Sequence, residues 1–277
     1  RKDSAEKVSR SIDREENREQ VNGSFDGLSR SGGDARPRAG TGVDSPRDFG
    51  ENKRERIVIR EREYKVRQSE YETLEDLGRF RLIREEDLIR GVYGDREELG
   101  RADLRSLREQ GLVRTHRLYD SGGGQQRIHT LTAEGYDFVR SRSEKPHFYY
   151  WGIVKPSEVE HDSLLYRAYL REREVIRQLG GKVTRVVLDY ELKGKHFAKV
   201  NKPGVNYRSA QAESAVELRL PVVDGHTMFP DLRIEYEDDR GEPSRADIEV
   251  ATGNYREKHI AAKVAAGFRV YAPQSAG

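Results

Sequence analysis

Between Glu70 and Arg142 the chain carries three helical patterns, two strand patterns and a fourth helical pattern, in that order. Tyr71, Leu74, Leu77 and Phe80 recur at three-residue steps, near the helical period, and predict a helix over Glu70–Phe80. A second helix is expected at Arg84–Val92, ending in Gly94. A third is expected at Asp95–Gln110, with Leu99, Leu104 and Leu107 turned inward and Gly111 as its stop. Leu112–Tyr119 and Gln125–Thr132 read as strands joined by Asp120-Ser121-Gly122-Gly123-Gly124, a flexible hairpin tip. Thr132-Ala133-Glu134-Gly135 opens a last helix to Arg142, with Thr132 as its cap. Each element alone is common. Their order predicts a winged helix-turn-helix over residues 53–146, in which residues 53–67 are an entering strand or an extended arm.

The flanks differ from this module. Residues 1–52 mix eleven acidic and ten basic side chains with Ser, Gly and Pro, and nearly lack large apolar ones. Such a segment buries too little surface to offset chain entropy and is expected to be a disordered leader. Beyond an aromatic connector, His147-Phe148-Tyr149-Tyr150-Trp151, a long helix fits Ser157–Leu179 and a β-branched strand fits Val183–Leu192. Residues 193–216 read as partly helical after Pro203-Gly204. Strands are expected at Met228–Glu237 and Ala246–Ala251, then a helix at Tyr255–Ala266 and a short strand at Phe268–Tyr271. Residues 147–277 thus form a mixed α/β unit, and the fold class is α+β.

Composition narrows the chemistry. The chain has no Cys, which removes disulfides, thiolate zinc sites and cysteine nucleophiles. No apolar run approaches a membrane span, and no secretory leader pattern is present, so a cytoplasmic protein is expected. The 51 Lys+Arg and 49 Asp+Glu nearly cancel, so only local clusters carry information about partners.

Two such clusters stand out. Pro230-Asp231 and Asp247-Ile248-Glu249 fall on neighbouring predicted strands. Alternation puts Asp247 and Glu249 on one face, with Asp231 able to face either. Carboxylates so placed suit a divalent ion such as Mg²⁺, which can activate water and steady a phosphodiester. In the third helix, Arg101, Arg105 and Arg108 form a stripe turned roughly 100° from the leucine face. Arg114, Arg117 and Arg127 lie on the predicted wing. A helix-turn-helix places that helix in the major groove of double-stranded DNA, where Arg reads guanine or holds phosphate. The plainer alternative is an exposed face on which these arginines pair with Asp103, Glu98 and Glu109.

The order α-β-β-β-α-β with Pro-Asp followed by an acid resembles the PD-(D/E)XK nuclease core. With the winged helix before it, residues 65 to 274 resemble the replication-relaxation family, which includes MobC-type plasmid mobilisation relaxases. The pieces that carry the resemblance are Leu131-Thr132-Ala133-Glu134-Gly135, Glu160-His161-Asp162, Pro230-Asp231-Leu232, Ile248-Glu249-Val250 and Lys263. It implies a metal pair at Asp231 and Glu249, with Glu160 or His161 near it. It also implies a role in plasmid or mobile-element mobilisation or replication, alongside other proteins of those processes; a homodimer stays open. Ala251 stands where such nucleases carry Lys, so Lys263, preferred over Lys258, reaches back to complete a catalytic set, or catalysis is lost. In the latter case the chain is a non-catalytic DNA-binding regulator with a degenerate nuclease fold. Tyr255 is the nearest candidate for a tyrosyl nucleophile, although a structural role is favoured among so many tyrosines.

Overall fold

The computed structural model describes residues 53–119, 124–143, 148–153, 155–251 and 257–272. The expected leader, the glycine-rich tip at 120–123 and Tyr255 lie outside these residues, as does the side chain of Lys258. The chain is a mixed α+β protein.

Residues 53–67 form a hairpin of β1 (Glu55–Ile59) and β2 (Arg62–Val66). Its two turn residues, Arg60 and Glu61, have φ of 48° and 66°. Left-handed backbone at both positions matches the twist of the flanking strands. Tyr64 and Val66 face inward, and the Tyr64 ring meets Phe138 edge-on at 5.5 Å. There follow α1 (Gln68–Phe80), β3 (Leu82–Arg84), α2 (Glu85–Tyr93), α3 (Glu97–Glu109), β4 (Val113–Tyr119), β5 (Gln125–Leu131) and α4 (Ala133–Arg142). Glu70 starts α1 by accepting the Arg67 N–H at 2.9 Å. Gly94 ends α2 in left-handed conformation. Thr132 Oγ1 accepts the Gly135 N–H at 3.0 Å and caps α4. The sheet order is β3-β5-β4. Strand β3 went unread in the sequence because three residues show no period.

The second half contains α5 (Val159–Gln178), preceded by one 3₁₀ turn, then β6 (Lys182–Leu188), α6 (Asp189–Val200) and α7 (Tyr207–Glu217). After these come a small hairpin, β7 (Val222–Val223) and β8 (His226–Thr227), then β9 (Leu232–Glu237), β10 (Pro243–Val250), α8 (Glu257–Ala265) and β11 (Arg269–Tyr271). The main sheet runs β11-β10-β9-β6, parallel only between β10 and β11. The strand expected to reach Leu192 stops at Leu188. The β-branched run ends at Val187, and Asp189 and Glu191 favour a helix start, where acids meet the positive end of the dipole. Asp231, expected within a strand, immediately precedes β9.

One buried cluster runs through both halves, from Tyr64 and Leu74 to Ile234, Ile248 and Val250. Helix α5 is the joint. Tyr166 meets Phe80 edge-on at 4.9 Å and donates to Asp76 at 2.6 Å. Gly91 permits that approach, because a Cβ there would lie 2.3 Å from the Tyr166 hydroxyl. Arg167 pairs with Asp87 at 2.9 Å, and Arg81 with Asp162 at 2.9 Å. The boundary expected near residue 146 is therefore crossed by packed side chains and buried ion pairs.

Candidate functional site

Asp231 sits where three strand ends converge. Its carbonyl accepts the Asp189 N–H at 3.1 Å, at the junction of β6 and α6. Its carboxylate Oδ2 accepts the Val250 N–H at 2.9 Å, at the end of β10. His161, in the first turn of α5, places Nε2 3.1 Å from the same oxygen and Nδ1 3.3 Å from Asp162 Oδ1. Asp162 in turn receives Arg81, whose guanidinium lies 4.2 Å from the centre of the Tyr190 ring. A line of contacts therefore leads from the α1–β3 junction, through α5, to Asp231.

Glu249 is wholly buried on β10, and Lys263 of α8 donates to its Oε2 at 2.8 Å. Lys263 also donates to the Phe229 carbonyl at 2.7 Å, two residues before Asp231. These bonds draw Asp231, Glu249 and Lys263 into one cluster. Asp247, which the strand pattern placed beside Glu249, is engaged elsewhere. It accepts from Arg233 at 2.6 and 3.0 Å, and Arg233 is held in turn by the Leu218 and Arg219 carbonyls. Glu160 is exposed, so His161 is the residue of that pair that reaches the cluster.

Electrostatics within the cluster are strongly coupled. Burial depresses the His161 pKa, but the hydrogen bonds and charges of Asp162 and Asp231 outweigh it and push it from 6.5 up to about 10. Burial raises the Asp189 carboxyl, against the pull of Lys193 at 2.5 Å. Since the His161 pKa is raised by folding, its contribution to stability is complete below pH 6.5 and is lost as pH rises towards 10. Urea unfolding in EDTA is expected to show stability falling across that window, and a flatter profile in His161→Gln. Equal profiles for the two proteins would contradict the ion pairing.

Asp231 and Glu249 have the donor chemistry of a Mg²⁺ site. Both offer hard carboxylate oxygen, and Asp231 Oδ1 accepts no hydrogen bond among the described residues. Among those residues, no group of three or more His, Asp and Glu side chains forms a ready metal cage. Mg²⁺ does not require one, because it commonly takes one or two carboxylates and completes its shell with water and phosphate.

The arginine positions lie on the other half. Arg105 and Arg108 on α3 are exposed and form no ion pair with any described residue. Arg101 pairs with Glu97 at 3.0 Å and approaches Glu85 at 3.4 Å. Asp103, the expected surface partner, is buried. It accepts from Ser69 at 2.5 Å and from Arg67 Nε at 2.8 Å. Arg114 is exposed opposite Thr130, and Arg117 lies directly opposite Arg127. Two like charges facing across a strand pair are destabilising, and Glu85 offsets this by pairing with Arg127 at 2.5 Å. A cavity of about 530 Å³ opens between α2, α3 and the β4–β5 hairpin, bordered by Glu85, Arg90, Arg101, Arg117, Gln126 and Arg127.

Sequence reasoning passed over Arg81, Asp189 and Glu85. Arg81 and Glu85 act through partners far along the chain, and Asp189 reaches the cluster through its backbone N–H on the Asp231 carbonyl, so nothing in their local sequence marks them. No protein family, curated protein or solved structure matches the chain significantly. No helix among the described residues is long and apolar enough to cross a membrane.

Proposed function

We propose that this chain is a DNA-binding protein of plasmid or mobile-element mobilisation or replication, a metal-dependent nicking enzyme of the replication-relaxation type. Its first half would act as a winged helix, with α3 in the major groove and the β4–β5 hairpin as the wing. Its second half would act as a PD-(D/E)XK-like unit. The observation that carries this reading is Lys263. It comes from α8 to Glu249 at 2.8 Å and supplies the cation that Ala251 does not.

In this reading Asp231 and Glu249 hold Mg²⁺, which when bound supplies Lewis-acid activation of water and charge stabilisation at phosphorus. Lys263 orients Glu249 and stands ready to donate a hydrogen bond to the scissile phosphate. His161 fixes the orientation of Asp231, and Arg81 fixes His161 through Asp162. Arg105, Arg108 and Arg114 hold the duplex by its phosphates. Incubation with supercoiled plasmid carrying candidate origins and Mg²⁺ is expected to yield nicked circles with the wild type and none with Asp231→Ala. Intact plasmid with both proteins across the origins would rule out the catalytic claim.

A second reading has its own observation. Asp162, Asp189, Asp231 and Glu249 are already matched by Arg81, Lys193, His161 and Lys263. A site compensated in this way has less attraction for a further cation, which favours a non-catalytic regulator. Calorimetric titration of Mn²⁺ separates the two readings: heat that disappears in Asp231→Ala supports the enzyme, and its absence in the wild type supports the regulator.

A further inference from the structure

Glu85 opens α2 at the meeting point of the two elements assigned to DNA. Its Oε1 accepts from Arg127 of β5 at 2.5 Å and lies 3.4 Å from Arg101 Nε of α3. Its Oε2 lies 3.2 Å from Nε2 of buried His129, whose Nδ1 is 3.1 Å from Thr115 Oγ1. The Glu85 side chain is only 13% exposed, whereas those of Arg101 and Arg127 are 51% and 54% exposed. An almost buried carboxylate thus holds half-exposed Arg127 directly and, together with Glu97 at 3.0 Å, restrains half-exposed Arg101. Arg117, directly across from Arg127, adds repulsion that drives Arg127 towards this acid. Arg105 and Arg108 have no such acid and remain available.

A carboxylate and a phosphate compete for the same guanidinium geometry. While Glu85 holds Arg101 and Arg127, a passing phosphate must displace it and also face its negative charge. We infer that Glu85 is a specificity-determining residue, which withholds Arg101 and Arg127 from the phosphate backbone and so suppresses binding to DNA of arbitrary sequence. This inference rests on the DNA-binding reading above. Sequence-independent affinity then comes from Arg105, Arg108 and Arg114, while Arg101 and Arg127 engage only where an approaching base edge or phosphate offers more than Glu85 does.

The test uses the full chain and a random-sequence duplex, with binding followed by anisotropy over a range of salt concentrations. Glu85→Gln is expected to bind more tightly than wild type. Its log–log salt dependence should steepen by about 0.9, for the release of Arg127, since Arg101 keeps Glu97 at 3.0 Å as a partner. Arg127→Gln supplies a second arm that does not depend on how well Glu85→Gln folds. It should leave the wild-type slope nearly unchanged, but reduce the slope by about 0.9 in the Glu85→Gln background. A wild-type slope that drops by that full amount on Arg127→Gln would place Arg127 on phosphate already and overturn the inference. So would an unchanged slope in Glu85→Gln. Arg105→Gln/Arg108→Gln separates the two levels of the argument. If this pair weakens binding while Glu85→Gln has no effect, only the Glu85 inference fails. If the wild type does not bind the duplex at all, the DNA-binding reading fails and takes the inference with it.

Discussion

Asp162→Ala is expected to lower the stability of the protein by about 3–5 kcal/mol, the usual consequence of removing one partner from a buried ion pair. The Arg81 and Asp162 side chains are 3% and 4% exposed, so water cannot replace the lost contact. Arg81 is also held in an uncommon backbone conformation, with φ of 65°, which persists only where the surroundings enforce it. Its guanidinium would remain over Tyr190 with no carboxylate to receive it. His161 would lose its second acceptor and with it the orientation that keeps Nε2 on Asp231. Urea unfolding measures the loss. The double variant Arg81→Met/Asp162→Leu, which removes both charges, should recover most of it. Additive losses would mean that the pair is not coupled. The same substitution tests whether the two halves communicate, because the ion pair joins the α1–β3 junction to the helix carrying His161.

Lys263→Met should have an effect of similar size. Glu249 is fully buried, and among the described residues Lys263 donates to it as a cation. Removing one partner of a buried ion pair again costs about 3–5 kcal/mol. Adding Glu249→Leu to this variant removes the other charge of the pair and should recover most of the loss. Plasmid nicking by Lys263→Gln, which leaves Glu249 in place, tests the role of the lysine in the chemistry. Loss of nicking in a variant that circular dichroism shows to be folded is expected, whereas a folded variant that still nicks would show that Lys263 serves packing alone.

The helices were legible where a local signal marks them. Gly94 and Gly111 stop α2 and α3, Thr132 caps α4, and the leucine spacing of α3 identifies its buried face. The hairpin β7–β8 was legible in principle from Asp224-Gly225, a strong turn dipeptide whose residues have φ of 50° and 75°. Strand β3 and the early start of α6 were not, since one is too short to show a period and the other follows a β-branched run without a break. Short motifs and a family resemblance mark Asp231, Glu249 and Lys263 in the sequence. Strand alternation alone would have added Asp247, which the fold commits to Arg233.

Local sequence marks the ends of those helices that carry a cap or a glycine stop, the apolar face of each, and the acidic and basic residues that could take part in chemistry. These depend on neighbours within a turn or two of helix, or across one hairpin. Tertiary structure decided the partners. Lys263 lies 14 residues from Glu249, Asp162 lies 81 from Arg81, and Arg127 lies 42 from Glu85. Whether a charge is buried and paired or exposed and available depends on such distant contacts. Local pattern therefore read Asp103 and Arg105 alike as surface charges of one helix, and only the fold buries the first and leaves the second exposed to solvent.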